Sequence, residues 1–472
     1  MNTKIRSRWP IAAAALALGI VACTCGSLGG GAVTPTPEPL PTAAPTQAGI
    51  PTKPPIVGGE GIGGGGGGLD LAVINTAFLP RSDGGWRLLG EVANNSGTTV
   101  SSVSLQIEWF DASGTALGSD TGYALTTNIV PGETAPFIYS IYDTGLQLGS
   151  FAATITEFTS VQDFPRAKVD VEHAVLTVDD FGDFHCTGEL ANNTSAPVTI
   201  GGLAAAVLDK NGALVSADSY WAAIRHLEPG ERTPFRISPV GFSGAVASDH
   251  SCHTYVDAET VEAIPPAAVA FVDANGDGDS GNDIHLYVDV LGSGHLVGEM
   301  INNGNEPLSV QLVAGLYDAD GNVIDADFAG PPVALEPGQA LPFDFTTFSA
   351  TNYNQALRGQ IASFVVKVDP FWTYPVFGQQ VQLKSQNGSA ASDNGVVTET
   401  VDVLNDQSFN VDYAFVLATV TDPSGKVVGY GYTSTDPIAA GASVNVSVTV
   451  YVDPALDPAS LTVSVIAVAP KP

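Results

Sequence analysis

The chain has 472 residues and carries 49 acidic against 17 basic side chains, which gives a formal net charge of −32 at pH 7. This length suits several domains, because single hydrophobic cores rarely extend beyond about 250–300 residues. The charge argues against nucleic acid as a partner, because binding phosphate backbones needs basic patches. It fits an exposed, soluble surface or a cationic partner, bound cations included.

Residues 1–22 predict a secretion signal that ends at a lipidated cysteine. Lys4, Arg6 and Arg8 precede an apolar run that is too short to span a membrane. The run ends in the letters IVAC at Cys23, which resembles the lipobox of bacterial lipoproteins, and this resemblance implies that the Cys23 sulfur is acylated. Ordinary secretion without a lipid is the alternative. The expected location is extracytoplasmic, with a lipid anchor in a membrane at the bacterial cell surface.

Residues 23–69 are predicted to be the lipidated cysteine followed by a flexible linker. The stretch 34–55 is rich in proline, threonine and alanine, and 63–68 is an uninterrupted run of glycine. Proline-rich chain is extended and glycine-rich chain is a flexible coil, so neither forms a core. A linker of this length could hold the next domain on the order of 100 Å from a membrane.

From residue 70 onward one pattern recurs in four tandem copies. Each copy has a hydrophobic stretch ending in Asn, a strand ending in an Asp-x-x-Gly turn, and a turn before another strand, which is Pro-Gly in the three clearest copies. The Asn residues are Asn94, Asn192, Asn302 and, in a weaker copy, Asn405. The turn aspartates follow 16 or 17 residues later, at Asp111, Asp209, Asp318 and Asp422. Self-similarity at about 100 residues predicts four domains in tandem, over 70–164, 165–266, 267–374 and 375–472.

The fold class predicted for each copy is all-β. Val103, Leu105 and Ile107 alternate with polar residues, which is typical of a half-buried strand. The stretch 444–452 alternates in the same way, and Asp/Gly and Pro-Gly turns separate such runs. Short strands with regular turn signals indicate tandem immunoglobulin-like β-sandwich domains.

The strand ends resemble the FxLYD family of bacterial extracytoplasmic domains. Leu316-Tyr317-Asp318 carries the motif literally, while 109–111 and 207–209 carry variants of it. The resemblance covers roughly residues 70–370 well. The fourth copy departs from it, because Val401 replaces the glycine of the Gly-x-x-x-Asn strand and the Pro-Phe after the turn is missing. The resemblance implies an immunoglobulin-like fold outside the cell and no catalytic residues.

Cys186 and Cys252 are the cysteines that follow the linker, and both belong to the second copy. Outside the cytoplasm such a pair favours a disulfide. Three histidines lie near them in sequence, so a thiolate–imidazole metal site is the alternative. These histidines are His185, His250 and His253.

An acidic stretch in the third copy is the best candidate for a ligand site. Oxygen-bearing side chains at positions 1, 3 and 5, followed by Gly278 at position 6, match the start of an EF-hand calcium loop. The closing glutamate of such a loop is missing, because Ile284 occupies position 12. The candidate calcium ligands are Asp273, Asn275, Asp277, Asp279 and Asp283. The other interpretation is a solvated acidic loop that connects the second and third copies.

The function predicted from these features is a non-enzymatic, lipid-anchored surface protein that acts as a spacer, adhesion or binding module. Calcium is the one possible cofactor, and an extracellular protein or glycan is the possible partner. Four tryptophans are candidates for a carbohydrate platform, although Trp109 alternates with buried positions and fits the core better. They are Trp86, Trp109, Trp221 and Trp372. The rival function is a substrate-binding or accessory lipoprotein that presents sugar or peptide to a transporter or enzyme.

Overall fold

The computed structural model describes residues 70–81, 84–220, 224–242, 244–376 and 378–472. The predicted signal, Cys23 and the linker lie outside these residues. The described chain is almost entirely antiparallel strand, so the all-β sandwich prediction is confirmed. In the described ranges the longest helices have four residues, which is far too short to cross a bilayer. The four repeat ranges are called units one to four below.

Unit one contains two facing sheets. One has the order β1-β2-β6, and the other has the order β4-β3-β5 with β7 also paired to β3. The strands are β1 (Leu71–Pro80), β2 (Trp86–Asn94), β3 (Thr99–Phe110), β4 (Ala116–Tyr123), β5 (Asn128–Ile129), β6 (Thr134–Ile141) and β7 (Ser150–Val161).

Unit two repeats this arrangement, with one sheet β8-β9-β13 and another in which β11, β12 and β14 all pair with β10. The elements are β8 (Asp170–Val178), β9 (Phe184–Ala191), β10 (Val198–Asp209), β11 (Leu214–Tyr220), β12 (His226–Leu227), β13 (Arg232–Ile237), a 3₁₀ turn (Ala247–Asp249) and β14 (His250–Thr260).

Unit three has two corresponding sheets and a further two-stranded sheet of β18 and β23, and its first strand is split in two. The pieces β15 and β16 both pair with β17, which also pairs with β21. The elements are β15 (Val269–Phe271), β16 (His285–Val288), β17 (Gly294–Asn302), β18 (Leu308–Ser309), β19 (Leu312–Tyr317), β20 (Val323–Ala329), β21 (Ala340–Phe345), α1 (Ser349–Asn352), α2 (Gln355–Arg358), β22 (Ser363–Val368) and β23 (Tyr374–Pro375).

In unit four one long strand, β24, belongs to both halves of the sandwich and gives the order β27-β26-β29-β24-β25-β28. The elements are β24 (Gln380–Asp393), β25 (Val396–Leu404), β26 (Phe415–Thr421), β27 (Val427–Ser434), β28 (Ser443–Tyr451), a 3₁₀ turn (Pro458–Ser460) and β29 (Thr462–Pro470).

The predicted alternation places side chains as expected. Val103, Leu105 and Ile107 are buried in the core of unit one, while Glu108 is exposed. Each unit has its own hydrophobic core cluster, drawn mainly from residues within its range. The burial of these alternating apolar side chains is the main stabilising contribution to each sandwich.

The repeated Asn ties two parts of each unit together. Asn94 is fully buried, and its Nδ2 donates to the carbonyls of Thr98 and Ile129 at 2.9 and 2.8 Å. Its backbone carbonyl accepts from Gly132 N, the glycine of the Pro-Gly turn, at 2.7 Å. Asn192, Asn302 and Asn405 make the same contacts in the other units. The Asn and the turn glycine therefore recur together because each satisfies backbone groups of the other's segment.

The Asp-x-x-Gly turns form as predicted. In the first of them Asp111 Oδ1 accepts from the backbone amides of Ser113 and Thr115 at 2.8 and 2.9 Å. Gly114 has a φ of 84°, a left-handed conformation that glycine adopts without strain. The turns at Asp209, Asp318 and Asp422 have the same hydrogen bonds.

The repeat glycine makes room for the repeat phenylalanine. Gly188 lies opposite Phe235 on the neighbouring strand, and a Cβ on Gly188 would come within 2.9 Å of that ring. Units one and three hold the same pair at Gly90–Phe137 and Gly298–Phe343. In unit four the corresponding cross-strand pair is Val401 and Val446. The Gly–Phe pair of the first three units and the Val–Val pair of unit four thus fill a similar volume.

Candidate functional site

Cys186 and Cys252 form a disulfide, with their Cα atoms 6.1 Å apart. It joins β9 to β14 and so connects the two sheets of unit two. Chain-entropy models assign roughly 4 kcal/mol to a cross-link over this sequence separation of 66 residues. The predicted disulfide is confirmed, and the thiolate–imidazole metal site is wrong because neither sulfur is free to ligate a metal.

Two buried histidines occupy equivalent places, three residues before the repeat glycine. His185 Nε2 lies 3.3 Å from Asp179 Oδ2 and its Nδ1 lies 3.0 Å from Ser238 Oγ. His295 Nε2 lies 3.3 Å from Asp289 Oδ2, and its Nδ1 lies 2.8 Å from Asp344 Oδ2.

The Ser-His-Asp contact of unit two has the composition of a hydrolase triad, but its geometry indicates a structural role. His185 is only 2% exposed. The histidine–aspartate pair recurs in unit three, where the second nitrogen faces an aspartate instead of a serine. Asp179 and Asp289 each begin a tight turn, which the histidine fixes. Burial lowers the pKa of His185, whereas for His295 Asp344 and Asp289 outweigh burial and raise the pKa.

The acidic stretch is a loop inserted within the first strand of unit three, so its interpretation as a connection between units two and three is wrong. Phe271 before it pairs with Met300, and His285 after it pairs with Val297, both on β17. In unit one the same place is a short bulge between Ile74 and Ala77. The stretch reaches unit four, because Lys426 Nζ donates to the carbonyl of Asn282 at 2.7 Å.

Within this loop the side-chain oxygens accept from nearby amides. Asp273 accepts from the backbone of Gly276 and Gly278 at 2.7 and 2.8 Å. Further backbone amides that donate within the loop are those of Asp277 to Asn275, of Asp279 to Asp277, of Gly281 to Asp279 and of Ala274 to Asp283. The Asn282 side-chain amide and the Asp279 backbone amide lower the pKa of Asp277. Ile284, at the position of the missing glutamate, packs into the core of unit three. Calcium binding here stays a prediction.

The strand that carries the repeat glycine is buried on both faces in three units. In β2 the side chains of Leu88 and Val92 point into the core of unit one, while Leu89 packs against Ala206, Leu214 and Ala217 of unit two. Both β9 and β17 are likewise buried along nearly their whole length. In β25 of unit four buried residues alternate with half-exposed ones. The outer face of each of the first three strands is therefore a junction with the next unit.

The junction between units one and two is built around Arg87. This side chain is 1% exposed, and its guanidinium donates to the carbonyls of Val240 and Gly241, the second at 2.8 Å. Four residues further along β2, Glu91 accepts a hydrogen bond from the Tyr255 hydroxyl at 2.5 Å.

The second and third junctions use the same face. In the second, Arg236 Nη1 lies 2.6 Å from the buried Asp325, and the Tyr317 hydroxyl donates to Glu189 at 2.9 Å. In the third, the Tyr287 hydroxyl donates to the carbonyl of Tyr451 at 2.8 Å, and Tyr287 packs with Val297 and Val427.

The glutamate of the repeated Gly-Glu pair is a functional residue that the sequence analysis missed. Glu91, Glu189 and Glu299 follow the three repeat glycines, and the first two accept from a tyrosine of the next unit. The recurrence of a charged residue within an otherwise apolar strand was the available signal. Unit four has Asp402 at this place, where it accepts from Asn387 and Asn445 of its own unit.

The three candidate tryptophans that the structure describes do not form one surface. Trp109 is partly buried against the core of unit one and stacks on Tyr139, which confirms the core interpretation. The indole of Trp86 donates to the carbonyl of Leu146. Trp372 lies at the second junction, where the Arg225 guanidinium is 5.6 Å from its ring centroid. Trp221 lies outside the described residues.

No protein-family model matches the chain, and no curated protein matches it.

Proposed function

We propose that the chain is a non-enzymatic, lipid-anchored extracytoplasmic protein whose four β-sandwiches form a stiff spacer or binding scaffold at a bacterial surface. The proposal includes the FxLYD resemblance of its strand ends and the acylation of Cys23. The observation that supports it most is the burial of β2, β9 and β17 on both faces.

Double burial makes stiffness the expected property. Separating two units exposes an apolar face such as that of Leu89 and leaves Arg87 or Asp325 without its buried partners. Exposing apolar surface to water costs about 25 cal/mol for each Å². Side chains packed on both sides also prevent one unit from rotating on the next. A stiff array behind the linker that the sequence predicts for 23–69 would suit a protein that holds a binding surface at a distance from a membrane.

The rival function, an accessory lipoprotein that presents a sugar or peptide, is favoured by one polar groove. The groove lies between units one and two, has a volume of about 390 Å³, and is lined in part by Thr126, Asn128, Arg166 and His253. Its donors are already engaged, because Asn128 donates to Asp257 and Arg166 pairs with Glu133. A ligand would have to displace these contacts, so the scaffold is the better-supported function.

Metabolic labelling with a fatty acid tests the anchor. We expect the wild type and Cys25→Ala to carry the label and Cys23→Ala to lose it, because only Cys23 has the lipobox sequence before it. A labelled Cys23→Ala variant, or an unlabelled wild type released into the medium, would contradict the anchored scaffold.

A further inference from the structure

The first strand of three units contains one residue in a left-handed conformation that points at a carboxylate. The φ values are 52° for Asn75, 52° for His173 and 55° for Asn387. In units one and four the Asn side chain donates to the acidic residue beside the repeat glycine position. Asn75 donates to Glu91, and Asn387 donates to Asp402 at 2.8 Å.

In unit two this residue is a histidine with two carboxylates near it. The ligand atoms of Glu172, His173 and Glu189 all lie within 4.8 Å of one another. His173 is exposed, while Glu172 and Glu189 are half-buried on the adjacent strands β8 and β9. Where units one and four place an amide against one carboxylate, unit two thus places an imidazole nitrogen against two.

We propose that Glu172, His173 and Glu189 bind a divalent transition-metal ion of the zinc class. One imidazole and two carboxylates form a donor set that zinc and its neighbours accept. Metal–ligand bonds of about 2.0–2.2 Å require the three atoms to close by on the order of 1 Å, which rotation of these side chains allows. Water completes the coordination on the exposed side. Calcium fits poorly, because it prefers six to eight oxygen ligands.

Neighbouring side chains donate hydrogen bonds that orient the two carboxylates. One of the neighbours, Arg232, carries a positive charge that competes with a metal ion. Asn193 donates to Glu172 at 3.2 Å, and Tyr317 of unit three donates to Glu189 at 2.9 Å. Arg232 Nη1 lies 2.6 Å from Glu172 Oε2 and 3.5 Å from Glu189 Oε2. The Arg232 side chain is 46% exposed, so it can leave for solvent when a metal ion takes over its charge. Because Tyr317 belongs to unit three, the ion would lie beside the second junction.

Zinc titration of the full chain by calorimetry tests the site, with ZnCl₂ as the only added ligand. The wild type is expected to bind one equivalent of zinc tightly. His173→Asn introduces the residue that units one and four have at this position, so it should keep the melting temperature and weaken zinc binding by at least about tenfold. Arg232→Gln should strengthen it roughly two- to fivefold, because a partly exposed competing ion pair is removed. His253→Asn, at an exposed histidine of the same unit, is the control and should bind as the wild type does.

Copper(II) bound at one equivalent gives a second readout. Its electron paramagnetic resonance spectrum should show coordination by imidazole nitrogen in the wild type and lose this signature in His173→Asn. Equal zinc affinity of the wild type and His173→Asn would overturn the proposal. Weaker binding by Arg232→Gln would overturn it as well, since Arg232 would then assist the ion instead of competing with it.

Discussion

One repeat position shows how strongly burial at a junction changes the pKa of an aspartate. Asp120, Asp218 and Asp327 hold the same position, nine residues after the turn aspartate. Asp120 is exposed, and the hydrogen bond from the Tyr139 hydroxyl lowers its pKa. Asp218 lies on β11, which packs against unit one, and burial raises its pKa to about 6. Burial likewise raises the pKa of Asp327.

Asp218→Asn is expected to stabilise the chain above about pH 6. The folded pKa of about 6 exceeds the ordinary 3.8, so this group favours the folded state below pH 3.8 and loses that contribution as the pH rises through 6. The asparagine keeps the hydrogen bond from Ser219 N without the buried charge. The gain should be on the order of 1–3 kcal/mol at pH 7.5 and should vanish near pH 4. Melting temperatures across this range measure it.

Asp120→Asn is the matched control, because it changes the same repeat position where no unit covers it. It should give no gain at pH 7.5, since the charged form of Asp120 is the favoured one. A melting temperature of Asp218→Asn at or below that of the wild type at pH 7.5 would contradict the burial argument.

The glycine–phenylalanine pair predicts a second effect at the residue scale. Gly188→Val forces a Cβ against Phe235 and should cost about 1–3 kcal/mol. Phe235→Val leaves a cavity and should cost about 2–4 kcal/mol. The double variant copies the Val401–Val446 pair of unit four. Its cost should be smaller than the sum of the single costs by at least about 1 kcal/mol in denaturant unfolding, whereas additive costs would show that the pair is not coupled.

At the scale of elements, turns and strands were predictable from the sequence because their causes are local. Asp111 and Gly114 need only their own segment to form a turn, and the alternation of 444–452 needs only one buried face. The double burial of β2 was not predicted, although its near-continuous apolar run is typical of a strand covered on both sides. Glu91 obscured that signal, because a carboxylate in a buried strand makes sense only when the tyrosine of the next unit is known.

The acidic loop shows the same limit. The spacing of Asp273, Asn275 and Asp277 suggested a calcium loop, but the location of the loop depends on β15 and β16 both pairing with β17. That pairing is a tertiary fact, which a local motif cannot reveal. The disulfide was predictable, since Cys186 and Cys252 are the only cysteines after residue 25.

If the acidic loop binds calcium, the ion should stabilise unit three and its junction with unit four. Calcium at a few millimolar should raise the melting temperature of the full chain relative to chelator, since extracellular calcium sites have dissociation constants of about 10⁻⁴–10⁻³ M. Asp277→Ala should abolish the rise. Lys426→Gln removes the contact with unit four without removing a candidate ligand, so it should keep the rise. Identical melting curves with calcium and with chelator would show that the acidic loop does not bind calcium.

At the scale of the whole described chain, one mode of association is used three times. The outer faces of β2, β9 and β17 each contact the following unit, and each junction combines apolar packing with hydrogen bonds from tyrosine. The corresponding face of unit four carries Thr398, Thr400 and Asp402, which are half-exposed. The free energy of unfolding of such an array is expected to be approximately the sum of one contribution from each unit and one from each junction between neighbouring units.

The central claim is that successive units are fixed against one another, and distances between spin labels test it most directly. The second residues of the Asp-x-x-Gly turns, Ala112, Lys210, Ala319 and Pro423, are exposed and equivalent in the repeat. Cysteines placed there in neighbouring pairs, with Cys23 and Cys25 replaced by serine, should give one narrow distance distribution for each pair. Broad distributions, as flexibly linked domains produce, would contradict the stiff scaffold.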